Sequence, residues 1–117
     1  MTIGAYGEQL ARQYLQKRSY AILTSNFRIR GGEIDIICKK DNTTVFVEVK
    51  ARLTSVHGKP YEAVRYQKFM RLKRAAYYYI VQNHLSSSPL RIDVVSIELN
   101  SDKSVHSLEH FKNVEVT

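Results

Sequence analysis

With 117 residues, 44% hydrophobic and 25% charged, the chain suits one compact globular domain, 1–117, and has no room for a second independent core. A formal charge of +7 directs it towards polyanions, nucleic acid first and anionic membrane second. The single cysteine, Cys38, excludes an intrachain disulfide and a cysteine cage for zinc, and no apolar run approaches the roughly 20 residues of a bilayer span, so a cytoplasmic protein without membrane contact is expected.

In chain order, Gly7, Leu10, Ala11, Tyr14 and Leu15 recur at helical spacing and predict a helix over 4–18, with Glu8 at the flank of its apolar face. YAILTSNFRIR predicts a strand from Tyr20, and the pair Gly31-Gly32 a turn. Glu33–Lys39 and Thr43–Ala51 read as an antiparallel hairpin closed at Asp41-Asn42. RLTSVHGKP reads as a loop, Tyr61 to about Asn83 as a long helix, and Leu90–Leu99 as a strand. The tail from Asn100 fits a short edge strand or a fraying turn. This order predicts an α/β fold with a mixed sheet, because the long helix can return the chain to a parallel neighbour.

Both hairpin strands carry acids among aliphatic residues. Alternation sends Val45, Val47 and Val49 to one face and Phe46, Glu48 and Lys50 to the other. It also separates Ile34, Ile36 and Cys38 from Glu33, Asp35 and Ile37. With both aliphatic rows turned to the core, Asp35, Glu48 and Lys50 face outward together.

Two neighbouring carboxylates call for a cation or a proton, and an open all-oxygen site suits Mg²⁺ or Mn²⁺. A lysine two residues on would stabilise charge developing at a phosphate, so the trio fits phosphodiester hydrolysis. A plain Glu48–Lys50 ion pair on a solvated face fits the same spacing.

In the long helix Lys68 falls within the apolar stripe, where it must snorkel to water or reach an anion, and the face bearing Asp35 and Glu48 offers one. Arg65, Lys68, Arg71, Lys73 and Arg74 bring no acid with them, and Tyr66 and Phe69 are interleaved, a combination that nucleic-acid grooves use. Tyr77 to Tyr79 fit packing better than stacking. His106 and His110, at i, i+4, lack a third ligand, His57 fits a plain loop histidine, and Arg91 with Asp93 fits a local ion pair.

Taken in order, GAYGEQLARQYLQ, NFRIRGGEIDII, VFVEVKAR and RIDVVSI resemble the YraN or UPF0102 family of small bacterial proteins, from Gly4 to about Ile97. That family is similar to archaeal Holliday junction resolvases, within the PD-(D/E)xK nuclease superfamily. The resemblance implies a restriction-endonuclease-like fold, a mixed β-sheet flanked by helices. It places the helix glutamate at Glu8, the strand aspartate at Asp35 and the ExK pair at Glu48 and Lys50, with Ile34 where a proline is usual.

On this basis Lys50, Glu48 and Asp35 are the expected catalytic residues. Glu8, Asp35, Glu48 and the Val49 carbonyl are the expected metal ligands for Mg²⁺ or Mn²⁺. Arg28, Arg30, Arg52, Lys68 and Arg71 are the expected contacts to nucleic acid, DNA above all. The expected activity is metal-dependent endonucleolytic hydrolysis of DNA, with branched DNA as the substrate the resolvase similarity implies and a homodimer as the form that could cut a four-way junction symmetrically. The alternatives are a non-catalytic nucleic-acid-binding module on the same scaffold and a protein interaction scaffold.

Overall fold

The computed structural model describes residues 1–54 and 66–114. Its elements are α1 (Ile3–Lys17), β1 (Ala21–Ile29), β2 (Gly32–Lys40), β3 (Thr43–Leu53), α2 (Tyr66–Gln82), β4 (Leu90–Leu99) and β5 (Val105–Phe111). The five strands form one sheet in the order β1-β2-β3-β4-β5, antiparallel except for the parallel pair β3-β4 that α2 connects. The fold is α/β with a mixed sheet flanked by helices, consistent with a restriction-endonuclease-like architecture. Neither helix is long and apolar enough to cross a membrane.

Helix α1 starts where Thr2 Oγ1 accepts a hydrogen bond from the Ala5 amide at 3.0 Å, which satisfies one of the donors a helix start leaves open. Its buried residues Gly7, Ala11 and Leu15 lie on one sheet face, against Ile36, Cys38, Val45, Val47, Val49, Val95, Ile97 and Leu99. Helix α2 covers the other face with Leu72, Ala75 and Ala76 against Ile34, Ile37 and Phe46, while Phe69 packs on Val94. Two glycines set these approaches. A Cβ on Gly7 would collide with that of Ala51, and one on Gly32 would come within 2.8 Å of the Arg71 carbonyl oxygen and 2.9 Å of the Ala75 nitrogen.

Because both faces are covered, β3 is buried from Thr44 to Val49 and β4 from Asp93 to Leu99, as central parallel neighbours are. The face of Phe46 and Glu48 was expected to be open to solvent and is instead roofed by α2. Strict alternation in β2 also fails. Ile34 packs on the α2 side while Ile36 and Cys38 pack on the α1 side, so the expected common row of these three is broken at Asp35.

The tail resolves in favour of an edge strand, β5, paired with β4. Strand β3 runs on to Leu53, past the expected end at Ala51. The loop expected after it, with His57, and the first turns of the expected long helix lie outside the described residues.

Candidate metal and phosphodiester site

The site forms where β2 parts from β3. Their paired register ends at Ile36 with Val47, whereas β1 and β2 stay paired on to Gly32. Opposite Asp35, between the pairs Ser25 with Ile36 and Phe27 with Ile34, Asn26 adopts a left-handed backbone with φ 53°, a conformation asparagine tolerates better than most residues. The distortion turns Asp35 out of the alternating pattern and towards β3. Its Oδ2 accepts the Val49 amide hydrogen at 2.8 Å, a side-chain bond where the β2-β3 backbone pairing has stopped.

Through this gap the groups of both layers meet. Glu48, on the α2 face of β3, is 1% exposed. Lys68 of α2 lies with Nζ 2.6 Å from Glu48 Oε1, so the lysine in the apolar stripe reaches the acidic sheet. The contact is an ion pair, and the Asp35 charge acts on the same Glu48 carboxyl. Glu8 approaches from α1, and its buried Oε1 lacks a hydrogen-bond donor. Lys50 follows Glu48 by two positions on the same strand and is partly exposed.

The electrostatics fit this crowding. Burial, and then the neighbouring Asp35 charge, push the Glu48 carboxyl up to about 8, against the opposing pull of Lys68. Burial and Asp35 likewise raise Glu8, while Arg12, Arg28 and Lys68 draw it down. Burial works against the Lys68 charge, but Glu48, Asp35 and Glu33 outweigh it and hold its pKa above the ordinary lysine value.

The expected ligands Glu8, Asp35 and Glu48 are therefore neighbours, yet among the described residues no three His, Cys, Asp or Glu side chains converge on one cation position. Mg²⁺ needs only one or two carboxylates, because it keeps several waters. The donor set is all oxygen, and one buried oxygen, Glu8 Oε1, accepts no hydrogen bond, while Glu48 Oε1 faces the Lys68 ammonium at 2.6 Å. These residues fit a divalent cation.

The five expected nucleic-acid contacts are placed differently from one another. Arg28 and Arg30 are exposed at the β1 end of the sheet. Arg71 stands 4.0 Å from Glu33, and Arg52 is bonded through its guanidinium to Glu98 at 3.1 Å across the β3-β4 pair. Lys68 is engaged with Glu48.

A second polar cluster exceeds what the sequence reading expected. Asp93, fully buried, accepts from Arg91 Nε at 2.9 Å and Nη2 at 3.0 Å, from the Asn113 amide at 2.9 Å, and meets His110 Nε2 at 2.7 Å. Tyr14 closes on His110 Nδ1 at 3.2 Å, and Arg91 donates to the Tyr20 hydroxyl at 2.8 Å. The Arg91–Asp93 pair is thus part of a network that ties α1, β4 and β5 together. Burial alone would raise the Asp93 carboxyl, but the bonds from His110, Arg91 and Asn113 prevail and hold it below the ordinary aspartate range. His110 carried no usable sequence signal, since its partners are remote in the chain.

Comparison with known proteins agrees with the motif order. The model of "Uncharacterised protein family UPF0102" matches residues 7–97, which include Glu8, Asp35, Glu48, Lys50 and Lys68. A UPF0102 protein of Alkaliphilus oremlandii is 43% identical over 113 residues, 95% of each chain. One from Clostridium acetobutylicum is 42% identical over 94% of this chain and 90% of its own. One from Syntrophomonas wolfei is 45% identical over 87% and 89%.

Proposed function

Since the chain belongs to the protein family UPF0102, we propose, on that premise and from its own residues, that it is a divalent-cation-dependent endonuclease acting on DNA. The observation that carries this reading is Glu48: a carboxyl 1% exposed, beside Asp35, in a protein of charge +7. An aliphatic residue there would pack without the cost of desolvating a charge, so stability does not account for the acid.

Asp35 and Glu48 would hold Mg²⁺ or Mn²⁺, with the Val49 carbonyl and with Glu8 directly or through water. Such a cation, when bound, polarises a phosphoryl oxygen and acidifies water. The chain's own part is positioning and charge. Asp35, by accepting the Val49 amide, fixes the β3 backbone beside the acids. Lys50 orients the attacking water or helps to deprotonate it, and stabilises the charge developing on the phosphoryl oxygens. Lys68 offsets the buried Glu48 charge from the other side.

Arg28 and Arg30 hold the flanking DNA backbone, and Arg52, Lys68 and Arg71 add positive potential while shared with their acidic partners. Branched DNA is the substrate form this reading favours, cut by a homodimer, in the cytoplasm.

A cleavage panel of linear, flapped, single-stranded and four-way DNA with Mg²⁺ or Mn²⁺ tests the proposal. At least one form should be cut, and Glu48→Ala or Lys50→Ala should each lower the rate by about a hundredfold or more. Cleavage unchanged in these variants would overturn it.

One observation favours a second reading, a non-catalytic nucleic-acid-binding module: Lys68 already stands 2.6 Å from Glu48 Oε1, the position a metal would share. Failure to cut every form, with DNA affinity independent of divalent metal, would select it.

A further inference from the structure

On the same sheet face as Glu48, a cavity of about 490 Å³ opens between α2 and β4. That size falls within the roughly 300–1,000 Å³ of small-ligand sites. Its walls are mostly apolar, with Phe46, Phe69, Ile80 and Ile92 among them, and Lys73 and Tyr77 line it from α2. We propose that this cavity seats one unpaired nucleobase of a bound DNA strand next to the acidic site, an inference that rests on the nucleic-acid reading above.

The strand register links the two places. Phe46 pairs with Ile92 in the cavity floor, and the next pair on that face is Glu48 with Val94. Two residues along a strand span about 7 Å, so floor and carboxylate are neighbours. Phe69, packed on Val94, stands between them and follows Lys68 directly in α2.

The rim matches the two halves of a nucleotide. Tyr77 is 71% exposed, contrary to the packing role expected for all three tyrosines; Tyr79 stacks edge-on against Phe27 and Phe46, and Tyr78 lies tilted against Phe27. A flat ring left at the mouth of an apolar cavity is suited to stacking on a base. Lys73, one helical turn before it, lies 5.9 Å over the Phe69 ring and so holds a cation at the same mouth for the attached phosphate. Asn113 on the cavity wall has an amide with both donor and acceptor atoms for a base edge. A peptide of a protein partner would match the apolar walls but gives no reason for the cation beside the exposed ring.

The test uses three labelled DNA duplexes without divalent metal: one with a single unpaired thymine, one with an abasic residue at that position, and one fully paired. Fluorescence anisotropy at fixed salt should show the unpaired-base duplex bound about tenfold more tightly than the abasic one. Tyr77→Ala, at an exposed position, should erase that preference and leave the fully paired duplex bound as before, and Tyr77→Phe should keep the preference. Equal affinity of the intact protein for base and abasic duplexes, as a peptide-binding cavity would give, overturns the proposal. So does a preference that Tyr77→Ala leaves intact. In both cases continued binding of the paired duplex leaves the nucleic-acid reading standing, whereas no binding of any duplex defeats both.

Discussion

Glu48 holds its proton more tightly in the folded chain than an ordinary glutamate does, and the sign of the consequence follows. A carboxyl raised from 4.5 to about 8 favours the fold at low pH, and this contribution is lost as pH rises between those values. In the metal-free protein, thermal melting should therefore show stability falling across that window, and Glu48→Gln should flatten the fall. Asp93 has the opposite sign: held below its ordinary 3.8, it supports the fold above that value and ceases to as pH falls through and below it. The residue types at Asp35, Glu48 and Lys50 were legible because carboxylates stand out among isoleucines and valines. The burial of Glu48 was not, since a strand's own alternation says which residues share a face but not which face a distant helix will cover.

At the scale of the elements, the α2 approach depends on Gly32. Gly32→Ala should cost about 1–3 kcal/mol in urea unfolding, because the added methyl meets helix backbone that has little freedom to move. The same change would push Lys68 and Arg71 away from the acids. On the other face, Asp93→Ala should cost about 3 kcal/mol, since it leaves Arg91 and His110 without their shared buried partner.

Strand β4 matched its expected bounds because Ile92, Val94, Val95 and Ile97 are strongly β-forming and Pro89 and Asn100 flank the strand. The break in β2 was not visible in advance. It lies opposite Asn26 on the neighbouring strand, whose left-handed backbone no local pattern around Asp35 announces.

Over the whole molecule, net charge pointed to a polyanion, and the described residues show how that charge is distributed. Arg28 and Arg30 are exposed, while Arg52, Lys68 and Arg71 share their charge with Glu98, Glu48 and Glu33. Because each phosphate neutralised contributes roughly −0.9 to the slope of log affinity against log salt, DNA binding should show a slope between about −2, from Arg28 and Arg30 alone, and about −4.5, from all five. A slope near zero would remove the electrostatic basis for a DNA partner. The order of elements and the parallel β3-β4 pair were readable from hydrophobic periodicity and the crossover helix. The cavity beside Glu48 was not, because it depends on how α2 sits against β4.

The proposed function requires that the acids gathered at the parting of β2 and β3 hold a divalent cation. Titration of the protein with Mn²⁺, followed by the loss of free-ion electron paramagnetic resonance signal, addresses it without any assumption about substrate. Saturable binding is expected, weakened at least about tenfold by Asp35→Asn and by Glu48→Gln, since even loss of an outer-shell partner of a metal costs about that much. Binding of the same strength in the intact protein and both variants, or no binding in the intact protein, would contradict it.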